Sequence, residues 1–342
     1  MCKRKVGSIK MNKAIQETRY DGEKAVVMRF GKYEAIVLPE LGANLISFTD
    51  VEREYRFIRS PPPGKIEHFK SNPTSYGIPV LFPPNRYEQG RFTIDGITYQ
   101  FPMNEKKYAN HLHGLLYNRP WNVSDKGAYD SEVYIVIEQN VDEEHEVYKY
   151  YPHKFKFTIR YSLTGAGLFQ KVTIKNNGLK KMPCMLGFHT AINVPFTNRS
   201  SAQDYRLIVT IGKRFELNHR MLPTGRYQTL DKQEQMMKTT GVHPLYKPMD
   251  HHYTAHPQEN KNYMKLTDLN EKVSFIYDVG LKYKHWMLWN SDASSGFICP
   301  EPQTNIVNAP NLNLPFDRSG IYILEPGEEW FEESKMTIQN IQ

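Results

Sequence analysis

Cysteine is scarce: Cys2, Cys184 and Cys299 are the only three in 342 residues. Three thiols cannot close a disulfide framework, and their spacing offers no CxxC pair for zinc. Small secreted scaffolds stapled by disulfides are excluded, and a reducing compartment fits. Long apolar runs are also missing, since no window approaches the roughly 18 residues of a membrane-spanning helix. A secretory leader needs an apolar stretch of about 7–15 residues behind its basic charges. Behind Lys3-Arg4-Lys5 stands only Val6-Gly7-Ser8-Ile9-Lys10. A cytoplasmic protein without a membrane partner is therefore expected. Residues 1–12 read as a flexible polar tail, with Met11 as an alternative start, and 13–342 as one domain. Charge imbalance is slight: 44 Lys and Arg against 37 Asp and Glu leave +7, which is no nucleic-acid footprint in a chain of this length. Helical periodicity is nearly absent, the best stretch being the short Asp231–Thr240, so an α/β fold fails for want of crossover helices. There is no internal repeat and no low-complexity linker. Pro61-Pro62-Pro63-Gly64 is a rigid turn too short to divide domains.

What is present is strand pattern, carried by an aromatic content of 13%. From Lys154 to Leu163, Phe155, Phe157, Ile159, Tyr161 and Leu163 alternate with Lys156, Thr158, Arg160 and Ser162, which buries one face of a strand and wets the other. The same alternation runs through Val133–Ile137, Val172–Ile174 and Leu207–Ile211. Asp95-Gly96 between two β-prone runs predicts a two-residue hairpin, and Asn176-Asn177-Gly178 reads as a second turn of that kind. An all-β fold follows, a large antiparallel β-domain with few short helices.

Four segments place polar side chains where a strand gives way to Gly or Pro, the positions at which loops carry chemistry on a rigid scaffold. The Gly77–Tyr87 segment delivers Asn85 and Arg86 together, an amide beside a rigid fork of donors able to clamp ring or hydroxyl oxygens. Asn110-His111-Leu112-His113-Gly114 puts His111 and His113 on one face of an extended chain, but a third zinc ligand is lacking and no metal is expected. In Met182–Asn193, His189 ends an apolar run, so a group that titrates near neutrality is partly desolvated. In Gly296–Thr304, Glu301 is framed by Pro300 and Pro302, which fix where its carboxylate points, and a charge is not left in such a run without a partner or a task. Cys184 and Cys299 lie near these segments and read as small buried hydrophobes rather than nucleophiles.

Taken in order, these segments resemble the aldose 1-epimerase (galactose mutarotase) family. The resemblance is carried by Asn85-Arg86 with Gly90-Arg91-Phe92 and the Asp95-Gly96 hairpin, by Asn110–Gly114 with Trp121, and by Tyr151–Phe155. It continues through His189, Asp250-His251-His252, and Glu301 with Gln303 and Ala309-Pro310-Asn311, so that it spans residue 20 to the C-terminus. It implies the family's supersandwich, a large β-sandwich, and interconversion of the α and β anomers of a free hexose such as glucose or galactose without a cofactor. It also implies Glu301 as base, His189 as acid, and Asn85, Arg86, His113 and Asp250 as sugar-binding groups. Leu115 after Gly114, and Thr190-Ala191 after His189, depart from the family's pattern beside the expected pocket and leave the preferred sugar open. Three rivals remain at this level. Glu301 and Asp250 could serve a glycoside hydrolase. A hexose-6-phosphate mutarotase would need a cation at the far end of the pocket, for which Arg91 is the candidate. A sugar-binding protein without catalysis would use the same scaffold. Monomer and homodimer are both compatible with the sequence.

Overall fold

The computed structural model describes residues 13–341, so the tail expected over residues 1–12 lies outside the described residues. The architecture is all-β and antiparallel. An N-terminal meander of five strands, Lys13–Tyr20 through Tyr55–Arg56, pairs in chain order. An eight-stranded sheet runs in the order Asn122–Ala128, Val133–Val141, Phe155–Thr164, Gly167–Asn176, Glu329–Asn340, Val273–Asp278, Tyr263–Asp268, Tyr205–Val209. A third sheet, called here the site sheet, runs Pro223–Gln228, Ile211–Leu217, Asp250–Ala255, His285–Trp289, Phe297–Gln303, Gly187–Phe188, Val80–Leu81. Among the described residues no helix is long and apolar enough to cross a membrane.

The alternating strands pair as their pattern requires. Ile159 lies opposite Val172 and Ile137, and Phe157 opposite Ile174, so apolar pairs cross the eight-stranded sheet on its inner face. Phe57 of the N-terminal part stacks on Phe275 of that sheet at 4.8 Å and 9°, and Phe82, next to the site sheet, meets Phe157 edge-on at 5.5 Å. One continuous apolar core thereby joins the sheets. The Asp95-Gly96 hairpin forms with both residues at positive φ, 48° and 76°, as a type I′ turn demands. The expected helix is one turn and a half, Lys232–Met237, capped at Asp231, whose side chain accepts from the N–H of Glu234.

Two local readings are corrected. Leu207–Ile211 is not one strand. Thr210 is buried with its hydroxyl donating to Asn262 Oδ1 at 2.7 Å, and the chain there leaves the eight-stranded sheet at Val209 and enters the site sheet at Ile211. Asn177-Gly178 does not make a tight hairpin either. Asn176 Oδ1 accepts from the Gly178 N–H, an Asx turn. It sends the chain on to Met182–Cys184, which pairs with Tyr322–Leu324 in a separate ladder.

Candidate active site

The site sheet has one face in the core and one face that carries chemistry, because strand residues alternate sides. Trp286, Leu288, Ile298 and Tyr253 point into the core. Register places Glu301 beside Met287 and His252, and Cys299 beside Trp289 and Asp250, all on the opposite face. Pro300 and Pro302 have no N–H to give a ladder. Pairing with the neighbouring segment is confined to the ends of the strand, Gly187 with Gln303 and Ile192–Asn193 with Ile298–Phe297. Between those ends His189 and Ala191 hang instead on the carbonyls of Pro79 and Gly77, at 3.0 and 2.9 Å. Counting the antiparallel register inward from Gly187–Gln303 brings His189 opposite Glu301.

His189 Nε2 stands 3.1 Å from Glu301 Oε1, with Glu301 1% and His189 4% exposed. Burial drives both groups toward their neutral forms. It holds the Glu301 carboxyl well above the usual carboxylate range, helped by the Asp250 charge and opposed by Arg86 and a Gln303 hydrogen bond. It pulls the His189 imidazole down to about 3, again by desolvation. Burial thus disfavours the carboxylate–imidazolium form of the pair when no ligand is present. Gln303 Nε2 donates to the second Glu301 oxygen at 3.4 Å.

Arg86 is brought in from the short strand Arg86–Glu88. Its Nη2 donates to Asp250 Oδ2 at 3.2 Å, and its Nε to both oxygens of Glu105 at 3.0 and 3.1 Å. Glu105 is in turn fixed by Asn110 Nδ2 at 3.0 Å. Asn85 sits at φ 61°, with Oδ1 accepting from the Arg86 N–H and its carbonyl from the His113 N–H. Its evident task is to aim its two neighbours. His113, at φ 70°, turns out of the strand that holds His111. The two rings therefore do not share a face as extended chain would have them: His113 lies edge-on to His189 at 5.2 Å, while His111 packs on Phe101. Gly114 follows at φ 75°, where a Cβ would strike the Phe82 carbonyl, so the segment can approach the Phe82-Pro83 turn only as glycine.

Glu301, His189, His113, Arg86 and Asp250 thus converge, and Asn85 supports them. Glu105 and Trp289 were passed over in the sequence. Trp289 is edge-on to His189 at 5.4 Å and, with Asp250, is partly open in the Asp250–Trp289–Cys299 row. Its signal was its place at the end of the apolar run Trp286–Trp289, just before Asn290-Ser291-Asp292. The departures at Leu115 and Thr190 do not face the pocket: Leu115 joins the main core, and Thr190 turns its hydroxyl to Tyr277. Ala191 alone of the three packs with Cys299 and Phe297 under Trp289. Cys184 and Cys299 are fully buried, and burial raises both thiols, so neither presents a thiolate. Beyond Asp250 lies a cavity of about 270 Å³ walled by Phe215, Leu217, Met221, Arg214, Gln228 and His251.

Residues 24–337 match the aldose 1-epimerase family. The chain belongs to that family. A galactose mutarotase-like protein from Clostridium acetobutylicum superposes with a TM-score of 0.92 at 31% identity, covering 96% of this chain and 99% of that one. An Escherichia coli K12 protein described as a putative aldose 1-epimerase shares the fold, with a TM-score of 0.71 at 16% identity over 96% of this chain and all of its own. A probable aldose 1-epimerase of Arthroderma benhamiae is 27% identical over 203 residues, 54% of this chain and 44% of its own length. An uncharacterized Escherichia coli protein is 26% identical over 147 residues, 42% of this chain and again 44% of its own length. The chain thus spans under half the length of these two curated relatives. This epimerase-family chain is an all-β supersandwich whose polar segments meet over one face of the site sheet.

Proposed function

We propose that the protein interconverts the anomers of a free aldose such as glucose or galactose by acid–base ring opening and reclosure. The observation that carries this reading is the buried Glu301–His189 contact, a carboxyl and an imidazole within proton-transfer distance. Anomer exchange needs one proton removed from the C1 hydroxyl and one delivered to the ring oxygen. The C1–O5 bond breaks, its electron pair takes the proton at O5, and the O1–H pair becomes the second bond of the C1=O1 aldehyde. Rotation about C1–C2 and reclosure return both protons. Glu301 is the base and His189 the acid in this scheme. The anomeric hydroxyl donates to Glu301 and the ring oxygen accepts from His189, so substrate favours the tautomer with the proton on His189. The transfer crosses only the 3.1 Å contact. Arg86 and His113 donate to the ring or to the developing carbonyl, and Asp250, held by Arg86, accepts from sugar hydroxyls.

Polarimetry of freshly dissolved α-glucose and α-galactose tests the reading. Enzyme at micromolar concentration is expected to accelerate mutarotation well beyond buffer. Release of aryl alcohol from aryl glycosides without mutarotation would instead mark a hydrolase and end the proposal.

Trp289 forms the floor on which the sugar ring lies in this reading, its apolar face matching the C–H face of a pyranose. Stacking of this kind is worth about 0.5–1.5 kcal/mol. Trp289→Ala is therefore expected to raise KM about tenfold with a smaller change in kcat. An unchanged KM would remove Trp289 from the binding surface.

A further inference from the structure

We infer that the far end of the sugar cleft is an anion-recognition end built on Arg59, and that the preferred aldose carries a carboxylate or phosphate ester remote from C1. This inference rests on the epimerase reading and names its substrate class. Arg59 is tied into the same segment as the acid, since its N–H donates to the Ala191 carbonyl at 2.9 Å, two residues beyond His189. Its guanidinium lies 4.0 Å from the centre of the Phe297 ring and 4.6 Å from that of Tyr76. Phe297 is on the chemical face of the site sheet, 5.3 Å from Trp289 and four residues before Glu301 on one strand. At ~3.3 Å per residue the Cα atoms of Phe297 and Glu301 are ~13 Å apart. A sugar that lays its ring on Trp289 with C1 at Glu301 points its far carbon toward Arg59.

The guanidinium carbon lies over both rings, and one donor is used: Nη1 donates to the Ser75 carbonyl at 2.8 Å. Among the described residues no carboxylate comes within ion-pair distance of it, and the side chain is partly exposed. A guanidinium stacked on rings keeps its in-plane donors free to grip a planar or tetrahedral anion. Arg86 cannot take this role, because Glu105 and Asp250 already surround it with two negative charges. Arg91, the cation expected from the sequence, is exposed on the Arg91–Ile94 hairpin strand, where its carbonyl accepts from Asn311.

The experiment compares kcat/KM for glucose 6-phosphate, glucuronate and glucose in the wild type, Arg59→Met and Arg59→Lys. The wild type is expected to prefer at least one anion over glucose by about tenfold or more, and the better of the two identifies the group. Arg59→Met is expected to lower that anion-to-neutral ratio at least about thirtyfold, with partial recovery in Arg59→Lys. A wild type that turns over glucose as well as either anion, or a ratio unmoved in Arg59→Met, overturns the inference while leaving the epimerase reading intact. Should no sugar be turned over, the epimerase reading fails by itself. Calorimetric titration of the two anionic sugars then decides this one: binding lost in Arg59→Met supports it, and binding equal in both proteins overturns it.

Discussion

Replacing Glu301 by Gln, or His189 by Asn, is expected to slow mutarotation at least about a hundredfold, because each removes one partner of a proton exchange worth about 10²–10⁴. The two losses should not multiply in the double variant, since both remove the same device. The Gln variant has a second signature that separates lost chemistry from lost folding. Glu301 binds its proton more strongly in the fold than in the unfolded chain, where the ordinary value is 4.5. Its contribution is fully present below pH 4.5 and is lost as pH rises toward the folded value. An amide needs no proton, so Glu301→Gln should gain stability relative to the wild type as pH rises from 6 to 8. A chemically silent variant with a raised melting temperature at alkaline pH is the expected result. Near-normal polarimetric rates in either single variant would remove the pair from the mechanism.

Much of this arrangement was legible in the sequence for a physical reason. Glu301 sits between two prolines in an apolar run, and His189 ends another, so each announces a polar group where burial is costly. Alternation gave the long strands of the eight-stranded sheet because one of their faces is core and the other wet. What periodicity could not give was the point where a strand changes sheets. Thr210 interrupts an unbroken apolar alternation, and only its long-range bond to Asn262 reveals the crossing. Spacing also misplaced His113, since a single residue at positive φ reverses the side to which a ring points. Glu105 was invisible for a different reason: it lies 19 residues from Arg86 in a polar loop, and nothing local distinguishes it from a solvated acid. The same holds for Arg59, whose meaning comes from two aromatic rings supplied by distant segments.

Acid should unfold this protein steeply, with a midpoint near pH 5 rather than below pH 4. Six histidines are shifted furthest toward the neutral form by the fold. Burial lowers His189, His251 and His285 to about 3 and His153 to about 4, and pushes His113 and His252 well below the ordinary 6.5. In the unfolded chain all six take up protons as pH drops through 6.5. The folded state binds fewer protons, so the stability these groups contribute is complete above that value and is lost as pH falls toward the folded values. Each site costs up to about 1.4 kcal/mol per pH unit in this window, so six imidazoles, less the one proton that folded Glu301 retains, cost up to about 7. A domain with about 5–15 kcal/mol to lose is exhausted within about one to two units. His252 is the sharpest place to test this. It is 0% exposed, stacks on Phe215 at 4.5 Å, and finds no hydrogen-bond partner among the described residues for either ring nitrogen, so none of them stabilises an imidazolium there. Denaturant unfolding measured from pH 7.5 to 5.5 should show an uptake of several protons on unfolding, and His252→Gln should lower that number by about one. Stability that stays flat between pH 7 and 5 in the wild type would mean that these imidazoles are charged or solvated in the folded protein.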